Sequence, residues 1–269
     1  MAARLSYCAV VLAADRRDPA DPLAGYSNGG NKCLIDIAGR PMIAWVLRTL
    51  LAAAEVREVL VSTDDANLLD HVPGFEAARA DGRLRVVPAG GNLFASVEAA
   101  LRFENQGRCP AIITTADNPL LTTDMLTHFC RETQALDGDA AIAMTRAEVM
   151  RAVHPDGQRR FYAFSDGEFS NCNLFAIMND DAVRAAEMFK GGGQFRKKAL
   201  RIVRAFGAWN FLLYKLQMLS SIKVGERLSA IFGSRIVLVT MPFAEACIDV
   251  DNERTLLLAR AVMGKRHNV

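Results

Sequence analysis

The sequence predicts an α/β fold, a mixed and mostly parallel sheet covered by helices on both faces. Three observations carry that expectation. Short continuous apolar runs recur along the chain, as strands buried on both faces require. They alternate with helix-period stretches from Tyr7 to about Ala140, the pattern of a parallel sheet with right-handed crossovers. Beyond Ala140 the rhythm changes, and the Asp166-Gly167 pair between two strand-like runs signals a hairpin, so this end of the sheet is expected to be antiparallel.

Tyr7 to Ala13 is the first strand. Ala14 to Lys32 reads as a long loop ending Asn28-Gly29-Gly30-Asn31-Lys32, and loops of that length in compact domains are usually functional or disordered. Pro41 suits the first turn of a helix whose apolar face is Met42, Ile43, Val46, Leu47, Leu50, Leu51 and Ala54. Val59 to Ser62 and Leu84 to Val87 are the next strands. Pro88-Ala-Gly-Gly-Asn92 then leads into a helix through Ser96, Val97 and Leu101. Ala111 to Leu121 is the stretch around which the rest is arranged. Ile112, Ile113, Thr114 and Thr115 favour a pleated conformation, Pro119 stops the ladder, and Thr122 or Thr123 caps a helix with Asp124 in its first turn.

In the second half, Ala140 to Met144, Gly157 to Phe164 and Glu168 to Ile177 read as strands, and Asn179 to Phe189 as a capped helix. A basic amphipathic stretch follows, with Phe195, Ala199, Ile202, Val203 and Phe206 opposite Lys197, Arg201 and Arg204. Ala205 to Ile222 is apolar, but Asn210, Lys215 and Gln217 interrupt it short of the roughly 20 apolar residues a membrane span needs. Arg235 to Thr240 gives one more strand. Ile248-Asp249-Val250-Asp251 leads into a closing helix bearing Leu256, Ala259 and Met263. One domain over residues 1–269, with a helical insertion at about 191–233, is the expected organisation.

With 269 residues, 51% hydrophobic and 23% charged, the chain can bury a large core. A formal charge of +2 argues against a general nucleic-acid binder. Cys8, Cys33, Cys109, Cys130, Cys172 and Cys247 are scattered without metal spacing and read as small core residues in a reducing compartment. The apolar run Val10 to Ala14 is too short for the core of a secretory signal, so a cytoplasmic location is expected.

Three features carry chemistry. The loop after the first strand is rich in backbone N–H groups and ends at Lys32, which either meets phosphates as a point charge or is an ordinary surface lysine. Asp117 follows a strand, where ligands of open α/β sheets bind, and it either meets a ligand or caps a turn. Asp249 and Asp251 alternate at what reads as a strand end, on opposite sides of the chain, so one is expected to join Asp117 and the other to cap the last helix. Two carboxylates from separate strand ends suit Mg²⁺ and a phosphate-bearing substrate.

The runs Leu12-Ala13-Ala14, Lys32 and Asp36-Ile37-Ala38-Gly39-Arg40-Pro41-Met42-Ile43 resemble the entry signature of MobA-like nucleotidyltransferases. Gly91 to Val97, Thr115-Ala116-Asp117-Asn118-Pro119-Leu120, Asn171-Cys172-Asn173-Leu174-Phe175 and Ile248 to Glu253 extend the resemblance in the family's order. It implies a GT-A-like fold and transfer of a nucleoside monophosphate from an NTP, CTP or GTP being favoured, to a phosphorylated acceptor with release of pyrophosphate. By the same resemblance Lys32 contacts the NTP phosphates and Asp117 serves in catalysis. Leu12, Ala13, Ala14, Gly91, Ser96 and Ala116 lie near the nucleotide, Asp117 and Asp251 hold Mg²⁺, and Asn173 lines the acceptor side.

The chain departs from the family pattern in its opening loop. Asp15 stands where the first loop glycine usually is, Asn31 replaces the proline before the lysine, and Arg16 or Arg17 is the candidate substitute for a missing arginine. Arg196 and Lys197, in the basic insertion, are expected on the acceptor side. The amphipathic segment 194–222 is expected to pack in the core or across a homodimer interface, or to touch a membrane surface and a lipid-linked acceptor. Two other functions fit the same fold, a glycosyltransferase using a nucleotide sugar and a non-catalytic nucleotide-binding regulatory module.

Overall fold

The computed structural model of the protein describes residues 5–14, 21–27, 30–186 and 217–267. In chain order the elements are β1 (Tyr7–Leu12), the small ladder β2 (Asp36–Ile37) and β3 (Arg40–Pro41), α1 (Met42–Ala52), β4 (Val56–Thr63), α2 (Glu76–Ala80), β5 (Leu84–Pro88), α3 (Leu93–Leu101), β6 (Ala111–Thr115) and α4 (Thr123–Ala135). The second half adds β7 (Ala140–Arg146), α5 (Ala147–Val153), β8 (Tyr162–Phe164), β9 (Gly167–Ile177), α6 (Asp180–Ala186), α7 (Ser221–Phe232), β10 (Ile236–Met241) and α8 (Glu253–His267).

The main sheet has eight strands in the order β10-β7-β9-β6-β1-β4-β5, with β8 paired to β9. β5, β4, β1 and β6 are mutually parallel, and β7 is parallel to β10. β9 runs antiparallel between β6 and β7, which makes the sheet mixed but mostly parallel, as the sequence predicts.

The strand alternation explains the two-sided core. Tyr7, Ala9 and Val11 face one layer with Ile43, Val46, Leu47 and Leu50 of α1 and Met125, Leu126 and Phe129 of α4. Cys8 and Val10 face the other with Ala100 and Leu101 of α3 and Val183 of α6. A third cluster lies under the carboxyl edge of the sheet, where Leu23, Ile35, Met42, Trp45 and Leu120 pack on Ile248, Val250, Leu256, Ala259 and Met263. The spacing of those last three puts them on one face of α8. Each buried Leu or Met there contributes about 1.5–3 kcal/mol relative to exposure. This cluster is what fastens the C-terminal segment to the loops that follow β1 and β6.

Several expectations are corrected. The run Gly157 to Phe164 is a strand only over Tyr162–Phe164, because its first half is a loop organised by its own side chains. α5 was not anticipated in the sequence. Pro41 is the N-cap residue of α1 and sits in β3, just outside the helix. Of the expected insertion at 191–233, only 217–233 falls within the described residues, and it holds α7. Within the described residues no helix is long and apolar enough to cross a membrane.

Candidate functional site

The site begins where β1 and β6 end side by side. Ala116 N–H donates to the Leu12 carbonyl (3.0 Å), and Ala13 N–H donates to the Ser62 carbonyl (2.8 Å), so the chain leaves three neighbouring strands at one edge. Asn31 ties the returning loop to that edge. Its Nδ2 donates to the Ala13 carbonyl (3.1 Å), while its Oδ1 accepts from Cys33 N–H (3.0 Å) and caps a single 3₁₀ turn, Lys32–Leu34. Lys32 is thereby held at the start of that turn. Its Nζ lies 3.0 Å from Asp251 Oδ1 and 3.7 Å from Asp117 Oδ2.

Asp117 sits two residues past β6. Its carbonyl accepts from Val250 N–H (2.9 Å), the bond that docks the 249–251 segment against the end of β6. Among the described residues its Oδ1, Thr115 Oγ1 and Asn118 Oδ1 are buried without a partner at ordinary hydrogen-bond geometry, though the Thr115 hydroxyl is near enough to favour the charged Asp117 carboxyl. Orphaned buried oxygens of this kind call for an explanation such as an ion or water. Burial raises the Asp117 carboxyl above its ordinary range, against the opposing pull of the Lys32 charge. Burial acts to lower the Lys32 ammonium, but the Asp117 and Asp251 carboxylates outweigh it and hold the group above its ordinary value.

The expected division of labour between Asp249 and Asp251 is overturned. Residues 248–251 do not form a strand, so the strict alternation that would separate the two side chains is absent. Neither of them caps α8. That role belongs to Asn252, whose Oδ1 accepts from Thr255 N–H (3.2 Å), while Thr255 Oγ1 accepts from Asp251 N–H (3.1 Å). Asp249 instead turns toward the site. Burial, with the charges of Asp251 and Asp117, pushes its carboxyl up to about 7.

Asp249 is held from β9. Asn173 Nδ2 donates to Asp249 Oδ2 (3.0 Å), and Asn171 orders Asn173 by accepting its N–H (3.2 Å) and donating to its Oδ1 (3.1 Å). Asn173 adopts φ +48° within a strand whose pairing to β7 shifts register at this point. A bulge of this kind re-aims a side chain, and Asn tolerates the left-handed region better than most residues. Asn118 Nδ2, donating to the Cys172 carbonyl (3.2 Å), braces the same bulge from the β6 side.

The remaining expected residues divide clearly. Leu12, Ala13, Ala14 and Ala116 line the ends of β1 and β6 beside Lys32 and Asp117. Ser96 is buried, and its hydroxyl accepts from Gly90 N–H (3.0 Å) and donates to the Gly90 carbonyl (3.3 Å), so it shapes the loop that carries Gly91. Arg196, Lys197 and most of segment 194–222 lie outside the described residues, as do Asp15, Arg16 and Arg17. Sequence reasoning missed Asp249 as a member of the site. The signal was present in the Asp-x-Asp pair, and was misread through the strand assignment. Among the described residues, no three His, Cys, Asp or Glu side chains are grouped as a metal site.

A family model described as the MobA-like NTP transferase domain matches residues 9–225. No curated protein matches the sequence. Among solved structures, a hypothetical transferase from Thermus thermophilus superimposes with a TM-score of 0.74 at 25% identity, over 94% of this chain and 100% of that one. The 4-diphosphocytidyl-2C-methyl-D-erythritol synthase of Anaerococcus prevotii gives a TM-score of 0.59 at 11% identity, covering 97% and 96%. A CMP:2-keto-3-deoxy-manno-octonic acid synthetase, solved with CTP, gives 0.57 at 14% identity, covering 98% and 99%. The last two likenesses concern the fold, which is GT-A-like.

Proposed function

Because the chain belongs to the MobA-like NTP transferase family, we propose that it transfers a nucleoside monophosphate from an NTP to a phosphorylated acceptor, releasing pyrophosphate. The observation that carries this reading is that one ammonium, Lys32 Nζ, lies against the carboxylates of both Asp117 and Asp251 at the carboxyl edge of β1 and β6. CTP and GTP are the favoured donors, and the acceptor is a phosphorylated small molecule or a lipid-linked phosphate.

An acceptor phosphate is already a nucleophile. One of its oxygens bonds to the α-phosphorus as the bond from that phosphorus to the bridging oxygen breaks, and pyrophosphate leaves with the electron pair. No proton need pass to a side chain, so this chain's residues act by holding and neutralising. Lys32 would place its charge on the departing phosphates. The backbone of Leu12 to Ala14, Gly91 and Ala116 would border the base and ribose, with Ser96 fixing the Gly90 turn. Asn173 would keep Asp249 aimed into the acceptor side.

The residues present fit a divalent cation. Among the described residues Asp117 Oδ1 is buried without a partner at ordinary hydrogen-bond geometry, Asp117 and Asp251 supply hard oxygen donors, and the Lys32 ammonium already lies between those two as a cation. Asp117 and Asp251 would hold Mg²⁺, with Asp249 beside them. When bound, such an ion neutralises charge on the triphosphate and orients it.

The test is pyrophosphate release with each of CTP, GTP, UTP and ATP, Mg²⁺ and a panel of phosphorylated acceptors. Release with one pairing, lost on Lys32→Ala, supports the reading. No release with any pairing, together with no thermal stabilisation by any NTP, refutes it. A nucleotide at 100 times its Kd should stabilise the fold by about 2.7 kcal/mol. Liposome flotation of the whole chain and of a variant lacking 194–222 separates a lipid-linked acceptor from a soluble one.

A further inference from the structure

The loop from α5 to β8, residues 154–161, is built with more care than a connector needs. Gly157 packs so closely that a Cβ there would lie 2.9 Å from both His154 Cβ and Met150 Sδ. Gln158 acts as a clasp, its Nε2 donating to the Cys247 carbonyl (3.3 Å) while its Oε1 accepts from the N–H groups of Arg159 (2.9 Å) and Arg160 (3.1 Å). His154 Nε2 lies 3.1 Å from Glu245 Oε1. Arg254, in the first turn of α8, donates to the Gly157 carbonyl (2.9 Å). Three ties therefore fix the loop to the segment 245–254, which carries Asp249 and Asp251.

What the clasp presents is mainly positive charge. Arg159 and Arg160 are exposed and consecutive. Among the described residues, the carboxylate in ion-pair range of Arg159 is Asp156, at 3.9 Å between two largely exposed groups, a contact worth little. Among the described residues, Arg160 and Arg254 have no carboxylate in ion-pair contact. Burial and then the nearby charge of Arg159 depress Arg254 below its ordinary value, against the weaker opposing pull of the Asp156 and Asp249 carboxylates. Holding like charges together costs free energy unless an anion joins them.

We propose that Arg159, Arg160 and Arg254 form an anion subsite that takes the phosphate monoester of the acceptor. Guanidinium groups match phosphate through paired N–H donors. The role assigned to the subsite rests on the transferase reading above, while the binding of a phosphate there does not.

The experiment follows arginine Nε–Hε NMR signals of the full chain during titration with inorganic phosphate at constant ionic strength. The signals of Arg159, Arg160 and Arg254 should shift together and saturate. Arg159→Gln/Arg160→Gln should weaken phosphate binding about tenfold or more, and Lys32→Ala should leave it unchanged. Equal affinity in wild type and the double variant, or loss in Lys32→Ala alone, overturns the proposal. Glycerol 3-phosphate and phosphatidic-acid vesicles in neutral lipid distinguish a soluble from a lipid source of the group, and binding of either must fall in the double variant. If an NTP raises Tm but phosphate moves none of the three signals, the subsite fails and the transferase reading stands. If phosphate binds there and no NTP raises Tm, the subsite stands and the reading beneath it fails.

Discussion

On the side of β5, β4, β1 and β6, Ala13 and Asp117 stand just past the ends of strands, and their positions follow from an apolar ladder buried on both faces. On the side of β9 and α8, Asp249 owes its position to a bulge at Asn173, a backbone bond from Val250 to Asp117 and a cluster beneath it. Regular structure places groups cheaply but only at strand ends. Irregular structure places them elsewhere and stores backbone strain to do so. Asp117 belongs to the first regime, Asp249 and Asn173 to the second, and Lys32 joins them through a loop that Asn31 ties to the end of β1.

The largest test of that contrast is catalytic. Lys32→Ala and Asp117→Asn should each reduce pyrophosphate release by about 10²–10³, the usual loss when one charge-stabilising group is removed. Near-UV CD should show the fold intact, because neither side chain belongs to an apolar cluster. Asn173→Asp on the irregular side should cost less. A loss there as large as at Lys32 would mean the two regimes share the chemistry equally.

Next comes the loop before α3, where backbone approach decides stability. A Cβ on Gly90 would lie 2.5 Å from the Ala95 carbonyl carbon, whereas one on Gly91 meets nothing within 4 Å. Urea unfolding of Gly90→Ala should therefore lose about 1–3 kcal/mol, while Gly91→Ala stays near wild type. Equal losses would place the requirement in loop flexibility rather than close contact.

A smaller effect probes the bulge. Asn173→Ala and Asn173→Gly both remove the amide bound to Asp249, but only the first keeps a Cβ at φ +48°. Alanine should be the less stable variant by about 1 kcal/mol in urea unfolding. Equal stabilities would show that the backbone there relaxes freely.

The same contrast explains what the sequence could disclose. Tyr7–Leu12 and Ala111–Thr115 are continuous apolar runs with a single sensible structure, so the parallel strands and the place of Asp117 were legible. The Asp166-Gly167 hairpin was legible because Gly167, at φ +132°, closes it. Asp249 was not, because its orientation depends on Asn173, a residue 76 positions away, and on a register shift that no local pattern records. α5 was missed for a related reason. It is a short helix whose buried residues, Ala147 and Met150, show one turn of periodicity, too little to stand out beside the neighbouring strand runs.

The subtlest expectation concerns protons. Asp249 is held up to about 7, and Asp117 is also raised, so the metal-free native state binds more protons than the unfolded chain between the ordinary carboxylate value and about 7. By linkage, the stability these groups confer is fully present below the unfolded pKa and is lost as pH rises through the folded one. In EDTA, urea unfolding of the wild type should therefore show stability falling from pH 4 toward pH 7. Asp249→Asn removes one of the titrating groups while keeping an acceptor near Asn173, so its profile should be flatter, with the residual slope belonging to Asp117. Identical slopes in the two proteins would mean that Asp249 is ionised throughout and that the irregular side of the site carries its charge without strain.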